Sequence, residues 1–336
     1  MDVQTLAATA QQLVTDGKGL LAADESTGTI KKRFDQINVE STEQTRRDYR
    51  EILFSTPGMA DYISGVILFD ETIRQTGADG TPLVKRLTDG GTIPGIKVDK
   101  GAKPLAPSGL EKITEGLDGL RERFAEYGEL GARFAKWRGV YSIGNGLPSR
   151  QCIRANAHAL ARYAALAQEA NIVPVVEPEI LMDGDHDIVA CRQATEAVLR
   201  AVFAELAEQQ VVLEGILLKP NMVLSGKSAA RQAGAEEVAR ETLACFKNTV
   251  PAAVPGIVFL SGGQSDEQAT VNLDAINKLK AAGGAPWALS FSYGRALQHS
   301  ALKAWRGNND NAGSARAAFQ ERAKATSAAA QGRYAA

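Results

Sequence analysis

The chain repeats one unit: a short apolar run that ends in charged or polar residues, followed by a helical stretch. Eight such runs recur, Gly19–Ala23, Ile63–Phe69, Ile93–Val98, Ala132–Trp137, Ile172–Val176, Gly215–Leu218, Gly256–Leu260 and Trp287–Phe291. Runs this short, bounded by Gly, Pro and polar residues, read as buried strands and not as helix segments. Between most of them the pattern turns helical. Ser41-Thr42-Glu43-Gln44 and Ser265 to Gln268 have the form of capping boxes, and Ser149, Asp187 and Glu236 open apolar-faced stretches. Strands that alternate with helices pair in parallel, because each return to the same edge needs a crossover. The spacing of residues just past the strands is nearly constant: 41 from Lys136 to Glu177, 42 to Lys219 and 42 to Ser261. Eight βα units close most economically as an α/β (β/α)8 TIM barrel, whereas an open doubly wound sheet seldom holds so many. No Pro/Ser/Gly-rich linker interrupts the pattern. A single domain is expected over 1–336, with a final Ala-rich helix from Ala312 to Ala330 and a short frayed tail from about 331.

Composition narrows the function. Lys+Arg is 38 against 39 Asp+Glu, a net charge of −1, which exerts no global pull on nucleic acid or anionic membrane. Cys152, Cys191 and Cys245 are isolated and odd in number, which argues against a disulfide framework or a zinc site. Met1-Asp2-Val3-Gln4 lacks the features of a signal peptide, and no apolar run approaches a membrane span, so the cytoplasm is the expected location.

In a barrel the chemistry gathers at the C-terminal ends of the strands. Those ends carry Asp24, Lys97, Lys136 with Arg138, Glu177 with Glu179, Lys219, Ser261 and Arg295. Each alone has a bland reading as a solvated loop residue, but several are embedded in apolar runs. Lys219 ends Gly215-Ile216-Leu217-Leu218, where an unpaired ammonium is costly and a lysine tends to lose its proton. The bland alternative is a lysine that snorkels outward or pairs with a carboxylate. A neutral amine is a nucleophile that forms Schiff bases with carbonyls. Lys136 nearby would depress it further, Glu177 could shuttle protons, and Asp24 could accept one from a substrate hydroxyl. An iminium is itself an electron sink, so no metal or other cofactor is needed for carbon–carbon cleavage beside it. The residues point to a Schiff-base aldolase.

Two anion sites are expected around the mouth. Ser261-Gly262-Gly263 follows the seventh run, and Ser292-Tyr293-Gly294-Arg295 follows the eighth, where barrels often bind phosphate. Across the mouth Ser26, Thr29, Lys31, Lys32 and Arg33 follow the first run, and Lys97 the third. Other motifs fail on inspection. Asp183-Gly184-Asp185-His186-Asp187 begins like a calcium loop but has Ile188 at the sixth position and Ala194 at the twelfth. Gly226-Lys227-Ser228 looks like the end of a P-loop, yet Asn221 replaces its leading Gly. His158, His186 and His299 are too dispersed for a triad or a zinc site.

Seven of these segments together resemble class I fructose-1,6-bisphosphate aldolase: Leu21–Ser26, Gly95–Gly101, Phe134–Arg138, Val176–Glu179, Leu218–Met222, Leu260–Ser265 and Phe291–Leu297. The resemblance runs from about Gly17 to Tyr334. It implies reversible cleavage of fructose 1,6-bisphosphate to dihydroxyacetone phosphate and glyceraldehyde 3-phosphate in glycolysis and gluconeogenesis. By motif it makes Lys219 the Schiff-base lysine and Glu177 the principal acid/base, with Asp24 taking the C4-hydroxyl proton and Lys136 and Glu179 completing the electrostatic set. Ser261, Gly262 and Arg295 resemble the ketone-side phosphate site, with Gly263, Ser292 and Gly294 beside them. Ser26 and Lys97 resemble the far-phosphate site, and Thr29, Lys32, Arg33 and Arg138 fall at accompanying positions. Thr29 stands where familiar relatives carry Ser. The resemblance also implies phosphosugar partners and a homo-oligomer, a tetramer. Animal members continue into a longer tail ending in a tyrosine that resembles a proton carrier; Tyr334 matches an earlier point and does not inherit that role. A Schiff-base aldolase acting on another phosphosugar, such as sedoheptulose bisphosphate, and a non-catalytic scaffold on the same barrel are the competing readings.

Overall fold

The computed structural model describes every residue except Asn145 and Ala336, so the last residue of the expected tail lies outside the described residues. The barrel strands are β1 (Gly19–Ala23), β2 (Ile63–Leu68) and β3 (Ile93–Lys97), then, after a small hairpin of β4 (Ala102–Pro104) and β5 (Lys112–Thr114), β6 (Phe134–Tyr141), β7 (Val173–Ile180), β8 (Leu217–Leu218), β9 (Gly256–Phe259) and β10 (Ala288–Tyr293). They close in the order β1-β10-β9-β8-β7-β6-β3-β2, and every pair in the ring is parallel. The eight-stranded barrel read from the pattern is the fold. Its edges differ where pairing outruns hydrophobicity. β6 and β7 continue past Trp137 and Val176 through Arg138 and Glu179, paired Arg138 to Glu177 and Val140 to Glu179. Charged residues expected just beyond strands are therefore on them.

Alternation along each strand sorts side chains between two surroundings. Leu20, Ile67, Phe134, Val173, Val175, Leu217 and Val258 form one apolar cluster inside the barrel, while their neighbours Leu21, Leu68, Ala135, Val176 and Leu218 pack in the cluster under the helices. An N-terminal helix that the strand pattern did not disclose, Val3–Leu13, adds Leu6, Ala10 and Leu13 to the inner cluster and closes the bottom of the barrel. Asp2 caps it by accepting from the backbone of Gln4 and Thr5. The strand starts make room for it. A β-carbon on Gly65 would lie 2.7 Å from Leu13 Cδ2, and one on Gly215 would lie 2.9 Å from Leu6 Cβ. Burying each of the two leucines contributes roughly 2 kcal/mol.

Helix starts were mostly legible. Ser149, Asp187 and Ser265 each cap a helix by accepting a backbone N–H three residues on. The box expected at Ser41 is shifted by one: Thr42 is the cap and Thr45 its reciprocal partner. The helix Ala312–Ala330 is as expected, but the tail after it is tied down. Gln331 donates to Asp16 at 3.0 Å, and the Tyr334 N–H donates to Asp274 at 2.9 Å. Polar partners and the half-buried Tyr334 ring oppose the fraying expected of a small, polar terminus. No helix among the described residues is long and apolar enough to cross a membrane.

Candidate active site

The C-terminal mouth of the barrel opens a cavity of about 600 Å³. Its floor continues the inner columns of the strands. On β6 the column reads Phe134, Lys136, Arg138; on β7 it reads Val173, Val175, Glu177, Glu179; beside them Leu217 gives way to Lys219. Period two thus turns an apolar plug into a charged floor within two or three residues.

Four ionisable side chains meet there, all buried. Lys136 Nζ lies 2.9 Å from Asp24 Oδ2 and 2.9 Å from Glu177 Oε2, and Lys219 Nζ lies 3.3 Å from Glu177 Oε1. The first contact is a hydrogen bond. The second is close enough for an ion pair but off the line of a hydrogen bond, which leaves Glu177 Oε2 able to accept another donor. Arg138 pairs with Glu179 above this cluster, and Lys97 Nζ stands 3.6 Å from Asp99.

Burial and charge set the protonation states in opposite directions. Burial pushes the Lys219 amine below the ordinary lysine value; Glu177 opposes this and the Lys136 charge reinforces it. Burial would also lower Lys136, but Asp24 and then Glu177 override it and hold Lys136 well above the lysine value. Burial would raise Asp24 and Glu177, yet Lys136 and Lys219 pull both below the usual carboxylate range. One lysine is held as a permanent cation while its neighbour is the one primed to lose its proton. Environments that push like groups apart are the mark of acid/base sites.

The cavity wall also includes Ser26, Thr29, Lys32, Arg33, Lys97, Ser261, Gly262, Ser292, Gly294 and Arg295. Ser292 Oγ is buried with no hydrogen-bond partner among the described residues, a donor left for a ligand. Gly294 begins the helix Arg295–Trp305, which has no side-chain cap and so aims free N–H groups at the mouth. Arg295 donates to the carbonyls of Gly262 and Gln264.

Two expected members are not brought in. Gly263 lies outside the main cavity, packed beside Lys227 and Met182. Lys31 points to solvent and pairs with Asp35 at 2.8 Å, because on a helix it lies about 100° from Lys32. Several wall residues were missed, including Glu25, Asp99, Gln298 and His299. Glu25 sits beside Asp24 in the segment Leu21–Ser26, where nothing local distinguishes the roles of two adjacent acids. Gln298 and His299 lie in a helix where nothing in the local pattern distinguishes cavity wall from surface. The two rejected motif loops bond to one another, Lys227 N–H to the Met182 carbonyl at 2.8 Å and Ser228 N–H to that of Gly184 at 2.9 Å.

Fold and site define a class: a parallel barrel enzyme whose buried amine, set against a carboxylate, is equipped for covalent carbonyl chemistry. A family model described as fructose-bisphosphate aldolase class-I matches residues 5–336. The "probable fructose-bisphosphate aldolase class 1" of Xanthomonas campestris pv. campestris is 58% identical over 335 residues, covering 99% of each chain. "Fructose-bisphosphate aldolase 4, cytosolic" of Arabidopsis thaliana is 56% identical over 329 residues, 98% of this chain and 83% of that one. A solved structure of fructose-bisphosphate aldolase from Plasmodium falciparum, in complex with TRAP and a small-molecule inhibitor, matches with a TM-score of 0.97 at 51% identity, covering 99% of this chain and 96% of that one. The chain belongs to the class I fructose-bisphosphate aldolase family. It is a lyase of glycolysis that works by Schiff-base chemistry without a metal or other cofactor.

Proposed function

We propose that Lys219 is the nucleophile and Glu177 its proton shuttle, a reading carried by one observation: the buried amine lies 3.3 Å from a buried carboxylate that is itself bridged to Lys136. The neutral amine adds to the C2 carbonyl of fructose 1,6-bisphosphate. Glu177 relays the nitrogen proton to the former carbonyl oxygen, giving the carbinolamine hydroxyl. It then passes on a second proton taken up from solvent, so that the hydroxyl leaves as water and the iminium remains. The iminium then accepts the electron pair of the C3–C4 bond as that bond breaks. Asp24, kept ionised by Lys136, takes the C4-hydroxyl proton, and glyceraldehyde 3-phosphate departs. The enamine is protonated at C3, and water releases dihydroxyacetone phosphate. Lys136 balances the carboxylates through these steps, and Glu179 holds Arg138 at the mouth.

Ser261, Gly262, Ser292, Gly294 and Arg295 hold the ketone-side phosphate, through hydroxyls, backbone N–H groups and a guanidinium. Ser26, Thr29, Lys32, Lys97 and Arg138 hold the far one. The enzyme works in the cytoplasm, in keeping with the word "cytosolic" in the name of the Arabidopsis relative, and as a homo-oligomer, a tetramer, as the family resemblance implies. Borohydride reduction in the presence of dihydroxyacetone phosphate should leave one adduct, mapped by peptide mass spectrometry to Lys219. An adduct on Lys97 or Lys136 instead would sink the assignment.

A further inference from the structure

Glu25 is a buried carboxylate at the cavity that the cleavage chemistry does not use. It follows Asp24 directly, and a network of donors converges on it. Its Oε1 accepts from Arg33 Nη1 and, at 2.8 Å, from Gln298 Nε2. The same Gln298 amide donates to the Ala22 carbonyl at 2.8 Å, so Gln298 is fixed to β1 from the facing helix. Behind Glu25, the fully buried Arg50 donates to the Glu25 carbonyl at 2.8 Å and stands 3.7 Å from Oε2. Arg50 is in turn held by Thr72 at 2.6 Å. Glu25 Oε2 accepts no hydrogen bond among the described residues; its charge is met by Arg50 across that gap.

The consequence falls on Arg33. A flexible arginine on an exposed helix would ordinarily sample many rotamers. Here one of its terminal nitrogens is tied to Glu25, and the other is presented beside Gly294: a β-carbon on Gly294 would lie 3.6 Å from Arg33 Nη2. Gly294 opens the uncapped helix Arg295–Trp305. Arg33 therefore stands next to the N–H groups of that helix, on the Ser292 and Arg295 side of the cavity.

We infer that Glu25, clamped by Gln298 and backed by Arg50, is a positioning residue that holds Arg33 as a fixed cation for the ketone-side phosphate. The inference rests on the reading of a ketose phosphate bound over Lys219. It moves Arg33 from the far cluster, where its sequence neighbours Ser26, Thr29 and Lys32 suggest it belongs. It also accounts for an acid in an anion site: Glu25 occupies Nη1 of the guanidinium and leaves Nη2 to the phosphate.

The test uses fructose 1-phosphate, which carries only the ketone-side phosphate, beside fructose 1,6-bisphosphate. Glu25→Ala should raise KM for both by roughly tenfold, the size of one charge-assisted hydrogen bond, and lower kcat far less. Glu25→Gln keeps an oxygen for Arg33 and should recover most of that loss. In an Arg33→Ala background, Glu25→Ala should add no further rise, because the arginine it positions is gone. A KM rise confined to the bisphosphate would overturn the ketone-side assignment. A rise of equal size in the Arg33→Ala background would show that Glu25 acts on the fold and not on Arg33. Should Glu25→Ala not fold, Gln298→Leu loosens the same clamp from the facing helix and should raise both KM values in the same direction; no change would overturn the inference. Borohydride trapping is run alongside. Loss of the Lys219 adduct in the unsubstituted enzyme would break the nucleophile assignment, while the KM pattern would still report on Glu25.

Discussion

The two ends of the barrel are built from the same strands and obey opposite rules. At the bottom, Leu6, Ala10 and Leu13 of the N-terminal helix pack in one apolar cluster with Leu20, Phe134, Val173 and Leu217. At the top, two to four residues further along the columns of β1, β6, β7 and β8, the side chains turn charged at Asp24, Lys136, Glu177 and Lys219. The bottom gains stability from each group it buries. The top buries charges whose desolvation their own pairing only partly offsets, and Lys219 is the member left poorest in counter-charge because Glu177 is shared with Lys136. Stability and reactivity are separated along the strand axis, so one face of one strand serves both.

The largest expected effect tests the top. Lys219→Met should lower kcat by roughly 10⁵-fold or more, since the covalent route is lost, while thermal denaturation shows a Tm no lower than that of the unsubstituted enzyme. A fall of several degrees would show that Lys219 supports the fold and would erase the contrast. The bottom should respond in reverse. Leu13→Ala is expected to cost about 3 kcal/mol in urea unfolding with kcat nearly unchanged at a temperature where the enzyme stays folded. A large kcat loss there would mean that the plug sets the geometry of the floor.

A smaller effect is in pH. The folded Lys219 amine is depressed, so the unfolded chain holds that proton more tightly, and stability linked to this group rises with pH toward the unfolded lysine value of about 10.4. The advantage of Lys219→Met in unfolding free energy should therefore shrink between neutral pH and pH 10. Asp24 and Glu177 are depressed too; their contribution is full above the unfolded carboxylate values of about 4 and is lost as pH falls through and below them. Leu13→Ala should show a flat difference across both windows, and a sloping one would couple the two ends. The smallest effect concerns the tail. Tyr334 is anchored beside Asp274, and the neighbouring Gln331 reaches Asp16 just before β1, at the end of the barrel opposite the mouth. Tyr334→Phe should leave the steady-state cleavage rate within about twofold, because only groups that reach the reacting atoms change the barrier.

Much of this was legible in the chain because its signals are local. Apolar runs of strand length, capping residues such as Ser149 and Asp187, and the pitch of the polar strand ends mark a closed barrel and its floor, including Lys136, Glu177 and Lys219. What escaped depends on partners far away in sequence. The Val3–Leu13 helix is an ordinary amphipathic stretch until the glycines at the strand starts give it a seat. Gly263 and Lys31 carry the right chemistry in the right motif, yet the turn and the helix place them elsewhere. Glu25 reads as one more acid beside Asp24 until Arg33, Arg50 and Gln298 arrive from three helices.

The sequence by itself determined which residue types stand at the strand ends, and through period two, which of them share the inner face. Only the tertiary structure set the charges that surround each amine. Lys97, Lys136 and Lys219 are equivalent as letters. Lys136 receives two carboxylates at 2.9 Å and stays a cation, whereas Lys219 is left with one shared carboxylate at 3.3 Å in a buried site. The physical reason is that a pKa is set by burial and by charge within a few ångströms, and those distances exist only once the barrel has closed.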